Sequence, residues 1–319
     1  MTDTLAAKPS PTVTEKPEGY GLRPRRERKG ETLVPWVLMT PTLVLLALMT
    51  IMPTIYLLRA SVRNDTLLNT NGRFVGLANY SNALTDPTFW HSLLITIGFV
   101  VVAVALEMLL GMALSLPLAG ERLSSTWGTT LLLLPFAITP VVSAMIFKEL
   151  LNPNYGWVDY YLGQLGLPAH IEWLSHPTTA WIALIGLDVW QWTPFVALIL
   201  IAGLQSLPGE PREAAAIDGA STWQMFWHVT LPQLKPFIAI ALVLRTIQAF
   251  KTFDYFKVMT GGGPGDSTEI LNLAIYRIAL QSFRIGAAAA IAILLLILLS
   301  LLVPALLRGV GRNADPEEA

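Results

Sequence analysis

Apolar positions along the chain cluster into six stretches, each long enough to cross a bilayer. A helix needs about 20 apolar residues to span a hydrocarbon core of about 30 Å. Segments 35–58, 92–118, 127–147, 180–204, 236–256 and 285–307 meet that requirement. The first, third and sixth hold no charge, the second only Glu107 and the fourth only Asp188. The fifth carries Arg245, Lys251 and Asp254 and is the weakest by hydropathy. Pro41, Pro135, Pro140 and Pro194 fall inside these spans. Neighbouring helices can satisfy the carbonyls that such prolines free. Segment 35–58 is too long for the apolar core of a cleaved leader, and no small-residue cleavage site follows it.

Composition agrees with the pattern. Charged residues make up 13% of the 319 and hydrophobic residues 53%. An ordinary soluble domain carries about 25% charged residues. A chain this poor in charge cannot coat a globule with solvated surface, which excludes an ordinary soluble enzyme and a disordered protein. There are no cysteines, so disulfides, iron–sulfur clusters and thiolate nucleophiles are excluded. His91, His170, His176 and His228 are scattered, without metal-ligand spacing. A net charge of −1 gives no basic face for nucleic acid.

Orientation follows from lysine and arginine. The segments before spans one, three and five and after span six hold twelve of them, against seven on the other side. The run Arg23, Arg25, Arg26, Arg28 and Lys29 sits just before the first span. Both termini are therefore expected inside. Residues 1–34 read as a disordered cytoplasmic tail and 309–319 as a cytoplasmic C-terminal tail. Trp36, Trp127 and Trp181, at span ends, are expected to anchor at the membrane interface.

The connection 205–235, between spans four and five, is longer than ordinary helix connections and reads as two short helices. Pro211 opens the first, 212–218, with Glu213 in its first turn, and Gly219 ends it as a left-handed residue. Ser221 and Gln224 form a capping box for the second, 222–229, which Leu231-Pro232 stops. Ala214, Ala215 and Ala216 allow close approach of another surface, and Trp223, Phe226 and Trp227 add apolar area. Such a helix pair either meets a partner protein or lies on the bilayer.

Glu213-Ala214-Ala215, then Gly219, then Val229-x-Leu231-Pro232 resembles the EAA signature of importer permeases of the ATP-binding-cassette (ABC) class. Every element stands at the family spacing; the one departure is Val229 where the family has isoleucine. The resemblance implies a coupling helix that docks on the ATPase subunit through Glu213, Ala214, Ala215, Asp218 and Gly219. Met259-Thr260-Gly261-Gly262-Gly263-Pro264-Gly265 and Gly76-Leu77-x-Asn79-Tyr80 are similar to segments of the carbohydrate permeases in that class. The resemblance covers about residues 35–308. The long outer insertion and extra N-terminal spans of the family's maltose permease are absent.

No Gly-Lys-Ser/Thr follows Gly261–Gly265, so this is a turn and not a phosphate cradle, and the chain has no ATPase motif of its own. No histidine lies well inside a span, which argues against a membrane protease. Glu107 and Asp188 could serve an ion-coupled secondary transporter; the docking loop argues against that alternative.

Charged groups inside a bilayer are costly and point to function. Asp188 lies eight residues into span four from outside and Arg245 nine residues into span five from inside, both near the midplane. They either pair, holding two helices together, or recognise sugar hydroxyls. Asp188, Gln191, Trp192 and Phe195 share one helical face, as do Arg245, Ala249 and Thr252, with Gln248 beside them. Both sets resemble cargo-contacting positions of the maltose permease, although the residue types differ. Glu107 reads as an interhelical hydrogen bond. Lys251 and Asp254 are expected to snorkel near the outer end of span five.

The expected fold is all-α: a polytopic membrane protein with six transmembrane helices, like the transmembrane domain of the maltose importer. Residues 35–308 form that domain, with the coupling loop at 205–235. The resemblance implies a bacterial cytoplasmic-membrane permease for a sugar or related polyol. Its implied partners are a second permease chain in a heterodimer, two ATP-binding-cassette ATPase subunits, an extracytoplasmic sugar-binding protein and the lipid bilayer. No cofactor binds this chain; ATP and Mg belong to the ATPase.

Overall fold

The structure, a computed structural model, describes residues 33–120, 126–168 and 170–311. Most of the expected N-terminal tail with its basic run, the C-terminal tail from 312 and the Trp127 side chain lie outside the described residues. Among the described residues there is no strand, only one isolated bridge between Arg63 and Phe74.

The chain divides into two units, at Pro53 and Thr54. The described part of the first is helix α1 up to Pro53; α1 runs Leu33–Ser61, with Pro41 and Pro53 inside it. Its large apolar side chains are exposed in this single chain, as expected of a lipid-facing or partner-facing helix.

The second unit begins with the last residues of α1. Helix α2 (Ala78–Thr85) follows a turn with Gly76 at φ 58°. Here the Gly76–Tyr80 motif has a structural use. The Asn79 side-chain amide donates to the carbonyls of Ser61 and Arg63, both at 2.9 Å, and the Tyr80 hydroxyl donates to Ser61 Oγ at 2.7 Å. Helix α3 (Pro87–Leu118) starts at an Asp86 cap with Pro87 in the first turn.

Span three is not one helix. Helices α4 (Thr126–Ala137) and α5 (Pro140–Leu150) meet at a bend of 94°. The sequence reading treated Pro135 and Pro140 as tolerable within a continuous span. Pro140 disfavours helical backbone at the residue before it, and Thr139 is extended at ψ 143°. The carbonyl of Ile138, freed at the bend, accepts from Gln191 Nε2 at 2.7 Å. Helix α6 (Trp157–Gln164) lies in the following connection, and α7 (Pro177–Ser206) is the fourth span.

Helix α8 (Glu210–Ile217) starts two residues earlier than expected, with Pro211 second rather than first. Gly219 adopts φ 78°, the left-handed conformation the sequence calls for. The Ser221–Gln224 capping box forms and opens α9 (Thr222–Met225). Leu231-Pro232 does not stop that helix. Phe226–Thr230 is a π-helical turn, and the chain passes straight into α10 (Leu231–Phe250). A proline ring collides with the carbonyl four residues back, here His228, and the wider turn moves that carbonyl aside. The helix that carries the fifth span thus runs continuously Thr222–Phe250 and not 236–256. It ends early because Asn272 Nδ2, from a distant segment, donates to the carbonyls of Phe250 and Thr252 at 2.8 and 2.9 Å.

Beyond it, Phe256–Thr260 is a second π turn and Gly261–Gly265 is a turn, with Gly261, Gly262 and Gly265 at positive φ. Arg277 Nη2 donates to the carbonyl of Gly261 and Arg277 pairs with Glu269. Helix α11 (Leu271–Tyr276), a third π turn (Arg277–Gln281) and α12 (Ile285–Gly311) complete the chain. Among the described residues, five helices are long and apolar enough to cross a membrane, and the bent pair makes six if it counts as one.

The core lies between α3, α7 and α10. Val100, Ala103 and Val104 of α3 meet Leu184 and Leu187 of α7 and Ala249 and Phe250 of α10. In lipid such packing rests on close approach, and two glycines permit it. A Cβ on Gly111 would lie 2.6 Å from Val196 Cγ1, and one on Gly203 would lie 2.6 Å from the Phe237 ring. Trp181 belongs to this core and is not a membrane anchor. It lies against Phe99 and Phe256, and its Nε1 donates to the Ser267 carbonyl at 3.0 Å. Trp36 is exposed, as an interfacial residue would be.

Candidate functional site

Three helices each bring one charge to the same buried point. Glu107 comes from α3, Asp188 from α7 and Arg245 from α10, and none of the three side chains is exposed. Arg245 Nη2 donates to Glu107 Oε1 at 2.8 Å and to Asp188 Oδ2, and Arg245 Nε forms an ion pair with Glu107 Oε2. The Tyr255 hydroxyl donates to Asp188 Oδ1, and Thr252 Oγ1 lies 3.2 Å from the Tyr255 hydroxyl. Asp188 and Arg245 therefore pair, and Glu107 makes the interhelical bond its position suggests.

Arginine suits this position because its planar fork serves two carboxylates at once. The cluster also needs Tyr255, which the sequence reading did not single out. Tyr255 follows the end of α10 across a break at 251–253, so helical spacing from Arg245 does not reach it. A tyrosine within the last turn of the apolar stretch 236–256 was the available signal.

The face expected on α7 forms, but its members differ in environment. Asp188 and Gln191 are buried, Gln191 being engaged with the Ile138 carbonyl at the bend. Trp192 and Phe195 are half-buried and join Phe136 of α4 in an aromatic cluster. Ring centroids lie 5.4 Å apart for Phe136–Trp192 and for Phe136–Phe195, and 6.0 Å apart for Trp192–Phe195. Phe136 was not foreseen; the bend after Ala137 brings it here. Arg245 Cζ sits 4.8 Å from the Trp192 ring centroid, a cation–π contact that links the ionic and aromatic clusters. Thr252 is nearly buried beside Tyr255, Gln248 is exposed and Ala249 belongs to the core.

A second constellation stands apart from the first. Glu213 and Ala214 of α8 are exposed and Ala215 is half-exposed, with Asp218 capping the helix and Gly219 turning the chain. The Ala220 and Gly219 amides donate to the carbonyls of Ala215 and Ala216, at 3.0 and 3.1 Å, closing the helix end. Trp223, Phe226 and Trp227 form an aromatic cluster on the next turn, with Trp223 and Ile217 strongly exposed. Among the described residues no group of three or more His, Cys, Asp or Glu side chains could hold a metal ion.

Membrane-length helices around a buried ionic cluster, with a short exposed helix between two of them, define a polytopic transport protein of the membrane. The chain belongs to the family described as binding-protein-dependent transport system inner membrane component, whose model matches residues 34–314. It is 37% identical over 270 residues to a trehalose/maltose transport system permease protein of Thermococcus litoralis, covering 84% of this chain and 91% of that one. It is 34% identical to a sulfoquinovosyl glycerol transport system permease protein of Agrobacterium fabrum, covering 90% and 92%. In fold it resembles a chain of a bacterial alginate ABC transporter crystallised with a periplasmic protein bound to alginate pentasaccharide. The TM-score is 0.78 at 21% identity, over 90% of this chain and 96% of that one. The chain is thus the permease component of a binding-protein-dependent ABC importer and not an ion-coupled secondary transporter. It works as a multi-pass inner-membrane component of that assembly.

Proposed function

We propose that this permease carries a sugar or related polyol across the bacterial cytoplasmic membrane. The observation that carries the reading is the cluster of exposed Phe136 and half-buried Trp192 and Phe195 beside a buried guanidinium. Aromatic faces take the apolar faces of sugar rings, and polar groups nearby take their hydroxyls. The names of the trehalose/maltose and sulfoquinovosyl glycerol permeases, to which the chain is similar, support the same class.

In this reading Trp192, Phe195 and Gln248 meet cargo directly. Asp188, Gln191, Arg245 and Thr252 stand behind them and join the path when the helices move between access states. Cargo arrives on an extracytoplasmic binding protein and passes between this chain and a second, similar permease chain. Two ATPase subunits bind ATP and Mg on the cytoplasmic side, where both termini of this chain also lie. Their closure moves α8, through Glu213, Ala214, Ala215, Asp218 and Gly219, and the helices rock between outward and inward access.

Gentle detergent purification from the native membrane tests the assembly. The expected companions are an ATPase, a second six-span chain and a binding protein, whose affinity for disaccharides, monosaccharides and polyols is then measured by calorimetry. A chain that purifies alone, under conditions that hold a known importer together, would defeat this reading of the partners. A binding protein blind to every sugar and polyol would defeat the cargo class.

A further inference from the structure

We infer that Glu107 is a positioning residue for cargo recognition: it holds the Arg245 guanidinium beside the Trp192 ring and so sets the orientation of that ring. The inference rests on the reading of Trp192 as a cargo-facing ring.

Glu107 is wholly buried on α3, whose side chains are not otherwise part of the aromatic cluster. Its Oε1 accepts a hydrogen bond from Arg245 Nη2, and its Oε2 lies in ion-pair contact with Nε. Asp188 accepts from Nη2 as well. These contacts hold the guanidinium from the side of α3, and its Cζ lies 4.8 Å from the Trp192 ring centroid. Trp192 also packs edge-on against Phe136 and Phe195. The indole is therefore held among a cation anchored by two carboxylates and two aromatic rings. Asp188 alone would hold the guanidinium at Nη2, about which it can swing; Glu107 adds a second hydrogen bond there and the ion-pair contact at Nε. Glu107 thus governs a ring it does not touch.

The complete importer, purified with its companion subunits and labelled with 5-fluorotryptophan, allows a direct test by fluorine NMR. The Trp192 line is the one lost in Trp192→Phe. Glu107→Gln, which keeps the shape and removes the charge, is expected to shift or broaden the Trp192 line more than that of Trp181 on the same helix. Glu107→Asp, which keeps the charge but shortens the reach, should move it as well and by less, and it stands in for Glu107→Gln if that complex does not assemble. A Trp192 line unmoved in both variants, or moved no more than the Trp181 line, overturns the inference and leaves Glu107 a general helix tie. The cargo reading is tested separately by uptake of radiolabelled trehalose and maltose into proteoliposomes. If the wild-type complex transports either sugar, Trp192→Ala should lose that uptake and Glu107→Gln should lower it several-fold. Uptake unaffected by Trp192→Ala overturns the role of Trp192 in cargo recognition, and with it that of Glu107, even where the spectra show the ring displaced.

Discussion

Arg245 stands between two carboxylates, and neither side of that arrangement is dispensable. Taking charges out of water is costly, and a buried pair repays that cost only while its partners are all present. Arg245→Ala would leave Glu107 and Asp188 facing each other without a counter-charge. Breaking a buried pair in this way costs about 3–5 kcal/mol, so the variant is expected to unfold at distinctly lower temperature, or to fail to assemble, when the detergent-solubilised complex is melted. Arg245→Lys should behave differently. An ammonium is a point charge that keeps the electrostatic balance but cannot bond two carboxylates in a plane or stack on Trp192. That variant is expected to assemble and yet transport poorly. Assembly and transport by Arg245→Lys equal to those of the original chain would show that the guanidinium geometry is irrelevant.

At the scale of elements, close approach between helices decides the architecture. Gly111 leaves no room for even a methyl group against Val196. Overpacking a well-filled contact costs about 1–3 kcal/mol, so Gly111→Ala is expected to lower the melting temperature of the complex by pushing α3 from α7. Gly98, on the same helix, would meet nothing within 4 Å, and Gly98→Ala serves as the control that should leave melting unchanged.

Much of this level is legible in the sequence. Six apolar runs, the left-handed Gly219 and the Ser221–Gln224 capping box are local signals, written within one turn of the residues that obey them. The common depth of Asp188 and Arg245, counted by helical rise, makes pairing one of two open readings, and the structure shows the pair. What escaped depends on distant partners. The bend at Thr139 is held open because Gln191, more than fifty residues on, takes the freed Ile138 carbonyl. The end of α10 is fixed by Asn272, and the fourth member of the buried cluster, Tyr255, arrives after a break in the helix. Pro232 signals a stop in any local reading, and only the π turn before it explains why the helix continues.

At the scale of the whole molecule, the buried cluster and the coupling helix must act together. In the proposed reading, neither does anything alone, because the energy comes from an ATPase subunit. Helix α8 is short, exposed and built of small residues, with Glu213 in its first turn, where a carboxylate favours the positive end of the helix dipole. Glu213→Lys reverses the charge that, in the proposed reading, faces the ATPase, and places a cation at that helix end. Because Glu213 is exposed, the change should leave insertion of the spans intact and the melting of the chain within about 1 kcal/mol of the original. The expected result is a complex that loses its ATPase on purification, or keeps it and hydrolyses ATP without moving cargo. Uptake into proteoliposomes and ATP hydrolysis measured on the same preparation separate these cases. Unchanged uptake at an unchanged rate of hydrolysis would remove Glu213 from the proposed coupling path and make the aromatic cluster of Trp223, Phe226 and Trp227 the next surface to test.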